Sequence, residues 1–183
     1  GTYTVNVIDA AGCISVGVAT VASGAAPGNV NMNGTNVSCF GGSNGTATAN
    51  ASGGMPPYTY LWSNGATTST ISGLTSGVYY VTVTTASGCI KYDTIIITQP
   101  ATPLSFTLSQ TNVSCFGLND GTGTIVAAGG TGPYSYLWNS IPIQITSVAT
   151  NLNPGSHTIV VTDNNGCIVS SSITTPQPNA LIA

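Results

Sequence analysis

The chain repeats itself, and this internal repeat limits the possible folds more than any other feature of the sequence. The hexapeptide Asn-Val-Ser-Cys-Phe-Gly at residues 36–41 recurs at 112–117, a shift of 76 residues. The run at 53–62 ends in Tyr-Thr-Tyr-Leu-Trp. It recurs at 129–138 with the same shift, and there it ends in Tyr-Ser-Tyr-Leu-Trp. A fixed period of this length indicates a tandem array of small domains.

A third, partial copy stands at the start of the chain. Residues 1–7 with Gly12-Cys13 align with 77–83 and Gly88-Cys89, and again with 155–161 and Gly166-Cys167. The shift from Cys89 to Cys167 is 78 residues, so we expect two additional residues in a loop between Trp138 and Gly155. The predicted domains are the end of a preceding repeat (1–28), two full repeats (29–102 and 103–178), and the start of another (179–183).

Within each repeat the apolar pattern has a period of two, which predicts β-strands. Val81 and Val83 alternate with threonines, and Tyr58, Tyr60 and Trp62 share one strand face. Clusters of Gly, Asn and Ser between these runs are typical of turns. Six or seven short strands per repeat predict an all-β fold, a small antiparallel β-sandwich of about 76 residues.

Charged residues are almost absent, which excludes several classes of function. Only 3% of residues are charged, with no Arg, no Glu, one Lys (Lys91), one His (His157) and a net charge of -3. Nucleic acids and anionic membranes both require clustered basic residues, so neither is an expected partner. No apolar run approaches the roughly 20 residues of a membrane span, and we expect any export signal to lie outside this stretch. We expect no enzyme activity and no cofactor.

The five cysteines follow the repeat. Each full repeat holds two, which predicts disulfides Cys39–Cys89 and Cys115–Cys167, and Cys13 is expected to pair with a cysteine outside the chain. Disulfides imply an oxidising, extracytoplasmic location. The alternative, metal binding, is disfavoured because the sequence has no CxxC pair and no neighbouring His.

The remaining polar candidates align with ordinary residues in other copies. His157 takes the place of Tyr3 and Tyr79, which predicts a packing role. Asp163 aligns with Asp9 and Thr85, and Asp120 with Asn44, so these side chains are predicted to stabilise turns. No two Asp residues lie close in sequence, so we expect no calcium or other metal site.

Two tryptophans leave two interpretations open. Trp62 and Trp138 each end an aromatic stripe at strand spacing, which is more typical of a core. The alternative is an exposed platform for stacking sugars. Solvent accessibility of the two rings decides between them.

The motifs Val-Ser-Cys-Phe-Gly-Gly, Pro-Pro-Tyr-Thr-Tyr-Leu-Trp-Ser-Asn-Gly, Gly-x-Tyr-x-Val-x-Val and Gly-Cys resemble the SprB repeat. This resemblance implies an immunoglobulin-like or PKD-like sandwich, display on the surface of a gram-negative bacterium, type IX secretion, and adhesion or gliding motility. It also implies an O-glycosylation site at Thr94, because Asp93-Thr94-Ile95 is similar to an acceptor motif of such proteins.

Together these features predict a structural or adhesive segment of an extracellular filament or giant adhesin. The expected partners are neighbouring repeats or copies of the same chain, with surface glycans as a further possibility. The alternatives are a carbohydrate- or surface-binding sandwich module and a spacer attached to a secreted enzyme.

Overall fold

A computed structural model describes residues 1–21 and 25–182, and these residues form strands and loops without a helix. None of them therefore lies in a helix with the length and hydropathy to cross a membrane. The strands are β1 (Thr2–Ile8), β2 (Ile14–Thr20), β3 (Asn29–Thr35), β4 (Gly45–Ser52), β5 (Thr59–Trp62), β6 (Thr70–Leu74), β7 (Gly77–Thr84), β8 (Ile90–Ile97), β9 (Ser105–Thr111), β10 (Gly121–Ala128), β11 (Ser135–Trp138), β12 (Val148–Leu152), β13 (Gly155–Thr162) and β14 (Ile168–Thr175).

The second repeat, β9 to β14, forms two three-stranded sheets. One has the order β12-β10-β9 and the other β11-β13-β14, and every pairing in them is antiparallel. The longest register runs from Gly155 opposite Thr175 to Thr162 opposite Ile168. The first repeat has the equivalent sheets β3-β4-β6 and β5-β7-β8, so the sequence repeat is also a repeat of topology.

A single apolar cluster joins the two sheets of the second repeat. Ile125 and Leu152 come from one sheet, Trp138, Ile159 and Val161 from the other, and all are buried. The predicted all-β fold of antiparallel β-sandwich repeats, with six strands in each, is therefore confirmed.

Both tryptophans lie inside the fold. Trp62 and Trp138 are 2% and 0% exposed, and their indole N–H groups donate to the carbonyl oxygens of Thr68 (2.8 Å) and Thr146 (3.0 Å). A ring with both faces covered cannot stack on a sugar, so the exposed-platform interpretation of Trp62 and Trp138 is wrong. The alternation of the strand explains their burial, because Tyr60 and Trp62 face the same way as Val83 and Val81 opposite them.

The two additional residues of the second repeat lie in a loop, as predicted. Residues 139–147 connect β11 to β12, where 63–69 connect β5 to β6. The Trp62 N–H donates to Ala66 O, and the Trp138 N–H donates to Gln144 O, each at 2.9 Å. The insertion therefore lies between the tryptophan and the residue that accepts its amide proton, and the strands keep their register.

The chain divides into two compact units that do not follow the repeat boundaries. One comprises Gly1–Gly34, Ala47–Ile71 and Val78–Ile95, and the other Thr35–Thr46, Ser72–Gly77 and Ile96–Ala183. The second unit thus contains the whole second repeat together with the loop that carries Cys39. The domain boundaries drawn from the sequence stay a prediction.

Strands β1 and β2 form an antiparallel hairpin that is exposed on both faces. Val5 and Val7 are 60% and 61% exposed, whereas the equivalent Val81 and Val83 are 1% and 0% exposed. The hairpin has the sequence of a core pair of strands, and no other strand within residues 1–21 and 25–182 pairs with β1 or β2.

Gly123 on β10 leaves the space that the Trp138 indole fills. A Cβ at this position would lie 2.5 Å from Cη2 of Trp138 and 3.1 Å from Cδ1 of Ile173. The first repeat has Ala47 at the equivalent position, so a methyl group stands there in the first repeat and none in the second.

We expect Gly123→Ala to lower the free energy of unfolding of the second repeat by about 1–3 kcal/mol, the usual cost of an overpacked core. The measurement is urea unfolding followed by Trp138 fluorescence in a Trp62→Phe background. The matched control is Gly132→Ala, where the nearest atom to the new Cβ is 3.9 Å away. Equal unfolding midpoints for the two variants would contradict the packing argument.

Candidate functional site

The most distinctive chemical feature of the chain is a disulfide between Cys39 and Cys167. The S–S distance is 2.06 Å, the Cα–Cα distance is 5.7 Å, and 128 residues separate the two in sequence. Cys39 lies in the loop between β3 and β4 of the first repeat, and Cys167 in the turn between β13 and β14 of the second. The predicted pairings Cys39–Cys89 and Cys115–Cys167 are therefore wrong: the disulfide joins consecutive repeats.

The second repeat explains why its own two cysteines do not pair. The loop around Cys115 lies at the C-terminal end of β14, where the Val113 N–H donates to Pro176 O (3.2 Å). Cys167 immediately precedes the other end of this strand. Eight extended residues span about 26 Å, whereas the Cα atoms of a disulfide lie about 4.4–6.8 Å apart. The two cysteines of one repeat are held at opposite ends of the sandwich.

The loop that carries Cys39 is fixed to the end of β8. The Val37 N–H donates to Thr98 O and the Gly41 N–H donates to Gln99 Oε1, both at 2.9 Å. Inside the loop, the Ser38 N–H donates to Asn44 Oδ1 at 3.0 Å. We call this segment, residues 36–44, the first-cysteine loop.

The turn that carries Cys167 is organised around one carboxylate. Oδ1 of Asp163 accepts the backbone N–H groups of Asn165 and Cys167, and Oδ2 accepts that of Thr131, all at 2.9 Å. The backbone closes the turn as well, since the Gly166 N–H donates to Asp163 O (3.1 Å) with Gly166 at a φ of +81°. We call residues 163–167 and their equivalents the second-cysteine turn.

Burial and hydrogen bonds act in opposite directions on the Asp163 carboxylate. Burial raises the pKa of Asp163, but the backbone N–H groups of Thr131, Cys167, Asn165 and Gly166 outweigh it and hold the pKa below its ordinary value. Asp163 is 5% exposed. The charge therefore serves as a buried acceptor for its own turn.

The second-cysteine turn occurs in three copies with the same design. Asp9 Oδ1 accepts the N–H groups of Ala11 (2.9 Å) and Cys13 (2.8 Å). In the first repeat Thr85 Oγ1 accepts the Cys89 N–H at 3.1 Å. The predicted turn role of these residues is confirmed, and a hydroxyl replaces the carboxylate where the repeat has Thr85.

Polar and apolar contacts surround the disulfide. Asn165 Nδ2 donates to Ser38 O at 2.9 Å and also to Thr131 Oγ1 at 3.1 Å. A pocket beside the two cysteines is lined by Phe40, Pro103, Leu104, Gly130 and Ile168. The first-cysteine loop of one repeat and the second-cysteine turn of the next thus contact each other directly.

Cys115 occupies the same kind of loop as Cys39 without the same bond. The Gly117 N–H donates to Gln177 Oε1 (2.9 Å), and Asp120 accepts both the side-chain O–H and the backbone N–H of Ser114. The Ser114 hydroxyl, with its backbone N–H, holds the pKa of Asp120 below the ordinary value. Cys115 is exposed and outside any disulfide, as is Cys13.

The other sequence candidates lie apart from this site. His157 is 4% exposed, and its Nε2 lies 2.9 Å from Asn153 O, which confirms its predicted packing position. Thr94 is exposed on β8, an edge strand, and its N–H donates to Asp93 Oδ1 at 2.7 Å. Lys91 donates to Gly28 O at 2.9 Å. Within residues 1–21 and 25–182, no group of three or more His, Cys, Asp or Glu side chains could hold a metal ion.

Sequence reasoning missed the residues that position the two cysteines. Gln99 and Gln177 hold the first-cysteine loops, and the recurrence of Gln-Pro at 99–100 and 177–178 is the signal that could have identified them. Asn165 has no such signal, since the equivalent residues are Ser87 and Ala11.

Comparison with known protein families finds a match in each of the two full repeats. The model of the SprB repeat family matches residues 32–67 and 107–142, which confirms the predicted resemblance at both full repeats. These matches support a cell-surface, adhesin-type repeat module. No curated protein matches the chain.

Solved structures with similar arrangements share little sequence with the chain. A C-terminal 282-residue fragment of intimin, in complex with the intimin-binding domain of the translocated intimin receptor, is 17% identical with a TM-score of 0.49, and the match covers 83% of this chain. The chain spans 64% of the length of that fragment. The amphioxus IgVJ-C2 molecule is 14% identical over 84% of this chain and 99% of that one, with a TM-score of 0.35.

We expect Cys39→Ser and Cys167→Ser each to remove the same cross-link and to lower stability equally, by about 5 kcal/mol in the chain-entropy model for a closed loop of this length. The measurement is denaturant unfolding, with peptide mapping of the unreduced parent chain to identify the linked cysteines. Cys13→Ser is the matched control. Recovery of a Cys39–Cys89 peptide from the parent would contradict the assignment.

We expect Asp163→Asn to destabilise the second repeat by about 2 kcal/mol at pH 7, because three backbone N–H groups lose a charged acceptor. The folded pKa of Asp163 lies below the unfolded value of about 3.9, so its stabilisation is complete above that pH and is lost as pH falls through the folded pKa. The difference in stability between parent and variant should therefore begin to shrink below about pH 4 and vanish below the folded pKa. Unfolding titrations from pH 2 to 7 measure this, with Asp93→Asn on β8 as the control. A pH-independent difference would contradict the mechanism.

Proposed function

Since the model of the SprB repeat matches the chain at two places, we propose that the chain is a segment of the stalk or filament of a secreted bacterial adhesin. The observation that carries this proposal is the Cys39–Cys167 disulfide, which links one repeat to the next. A domain that works alone has no need of a covalent bond to its neighbour. A stalk that transmits force between its end and the cell needs such a bond, because each junction between repeats is otherwise held only by its linker and by weak contacts.

Composition supports the same function. With 3% charged residues, consecutive repeats repel one another weakly, and lateral association between chains is not opposed by net charge. A disulfide that forms and persists is consistent with an extracellular location. In this proposal the partners are neighbouring repeats or further copies of the same chain.

The finer assignment follows from the family resemblance alone. We propose that the protein is exported by the type IX route to the surface of a gram-negative bacterium, where it serves attachment or gliding. Exposed Thr94 on β8 is the proposed O-glycosylation site, and intact-mass analysis of the native protein without any hexose-bearing species would reject it.

One observation favours a second candidate, a surface-binding module. The loop 139–147, which carries the insertion of the second repeat, presents Ile141, Ile143 and Ile145 at 92%, 69% and 71% exposure. Three exposed isoleucines in one loop offer an apolar contact for another surface. The buried Trp62 and Trp138 give no support to sugar stacking, so this candidate rests on the loop.

Electron microscopy of the native assembly tests the stalk. We expect continuous filaments or stalks with a regular axial repeat, and the same images should show consecutive repeats in contact at each junction. Isolated compact particles would contradict the stalk and favour the surface-binding module or a spacer attached to a secreted enzyme.

A further inference from the structure

We propose that the disulfide between consecutive repeats recurs along the array, so that Cys115 bonds to the second-cysteine turn of a following repeat. The rule is that the first cysteine of each repeat pairs with the second cysteine of the next. This inference rests on the proposed function only in requiring an array that continues beyond the two repeats described above.

The first-cysteine loops of the two repeats are built alike. In both, a valine N–H donates to a carbonyl oxygen at the end of the last strand, and a glutamine Oε1 accepts a glycine N–H of the loop at 2.9 Å. Asn44 and Asp120 occupy the same position and accept the N–H of Ser38 and Ser114. The loop therefore holds Cys115 in the same way as Cys39. The difference is that Cys39 is bonded to a second-cysteine turn, whereas Cys115 is not.

The surface beside Cys115 presents the same cysteine and phenylalanine pair as the surface beside Cys39. A pocket of about 470 Å³ is lined by Ser114, Cys115, Phe116 and residues 178–181. Phe116 is 58% exposed, and the equivalent Phe40 lines the pocket at the Cys39–Cys167 disulfide.

The residues that lead out of the second repeat keep the register of the repeat. Leu181 and Ile182 take the positions of Pro103 and Leu104 in the repeat. Leu104 packs against the core of the second repeat. In the proposed array, Ile182 packs against the following repeat as Leu104 packs against the second one, and that repeat brings its second-cysteine turn to the position that Cys167 holds beside Cys39.

The other half of the junction is also present in additional copies. The turns at Cys13 and Cys89 share the backbone geometry of the Cys167 turn: Asp9 N–H donates to Cys13 O (3.1 Å), Thr85 N–H to Cys89 O (2.9 Å), and Asp163 N–H to Cys167 O (3.0 Å). In the proposed array, the same rule pairs each of these turns with the first-cysteine loop of a preceding repeat.

The bond forms by thiol–disulfide exchange with an external disulfide, either a small molecule or a protein oxidant. The thiolate of one cysteine attacks that disulfide and releases one of its sulfurs as a thiolate; the second cysteine then attacks the mixed disulfide and releases the other. The two cysteines lose two electrons and two protons, and the oxidant is reduced to two thiols.

The test uses an extended chain in which residues 1–182 are followed by a second copy of 105–183, so that Ile182 replaces Leu104 as the entry to the added repeat. In the added copy Cys115 is replaced by Ser, and Ser170→Thr on the exposed face of β14 marks its Cys167 peptide by mass. The chain is produced in an oxidising compartment, alkylated without reduction and digested. Molecules that contain the Cys39–Cys167 link are analysed.

We expect Cys115 to be linked to the marked Cys167 peptide of the added repeat in most of these molecules. Cys115→Ser should release one alkylatable thiol, on the marked peptide, while the matched control Cys13→Ser leaves the link intact. Alkylated Cys115, or Cys115 linked to the unmarked Cys167, Cys89 or Cys13 peptide, would overturn the rule. So would failure of the Cys39–Cys167 link to form at all.

The outcome is separable from that of the proposed function. Regular filaments in electron micrographs, with Cys115 alkylated in the extended chain, would overturn the recurring disulfide and leave the stalk. A linked Cys115 together with isolated particles of the native protein would retain the disulfide rule and overturn the stalk.

Discussion

The length of the last strand in each repeat determines how the repeats are connected. Strand β14 keeps the first-cysteine loop at one end of the sandwich and the second-cysteine turn at the other, about 26 Å apart. A bond between the two cysteines of one repeat would require the sandwich to be rebuilt. The same separation leaves a cysteine accessible at each end, where the next repeat in the chain can meet it. The antiparallel fold thus favours disulfides between repeats over disulfides within one repeat, and Cys39–Cys167 is such a bond.

Local hydrogen bonds, rather than ion pairs, give the two cysteine-bearing segments their shape. Glutamine, asparagine and aspartate acceptors take backbone N–H groups that the strands leave unsatisfied at their ends. One acceptor is sufficient for the second-cysteine turn, which is why Thr85 can stand where Asp9 and Asp163 stand. A chain with one lysine and four aspartates can therefore still build well-defined ends on each domain.

Much of the fold was predictable because it depends on local pattern and on the repeat. The period of two assigned Trp62 and Trp138 to strands, and the shift of 78 residues placed the insertion between Trp138 and Gly155, where the structure has the loop 139–147. The disulfide was not predictable from the sequence. Pairing within each repeat (Cys39–Cys89) and pairing between consecutive repeats (Cys39–Cys167) both agree with the repeat pattern. Simple up-and-down strands would return the chain from Cys115 to the same end at Cys167. Here β12 is antiparallel to β10, and β11 is antiparallel to β13, the strand that follows β12 after a two-residue turn. Strands β11 and β12 therefore run in the same direction, so the loop between them returns along the sandwich and brings Cys167 to the end opposite Cys115.

The junction between the repeats is held by a bond that salt and pH affect little. Attraction between charged faces weakens when ionic strength rises, and this chain has almost no charge to use. The pocket beside Cys39 and Cys167 is small, and a few apolar side chains give limited affinity between domains. A disulfide is insensitive to both conditions and forms without a large interface. Because the chain has so few charges, the repeats associate weakly, and the disulfide compensates for that weak association.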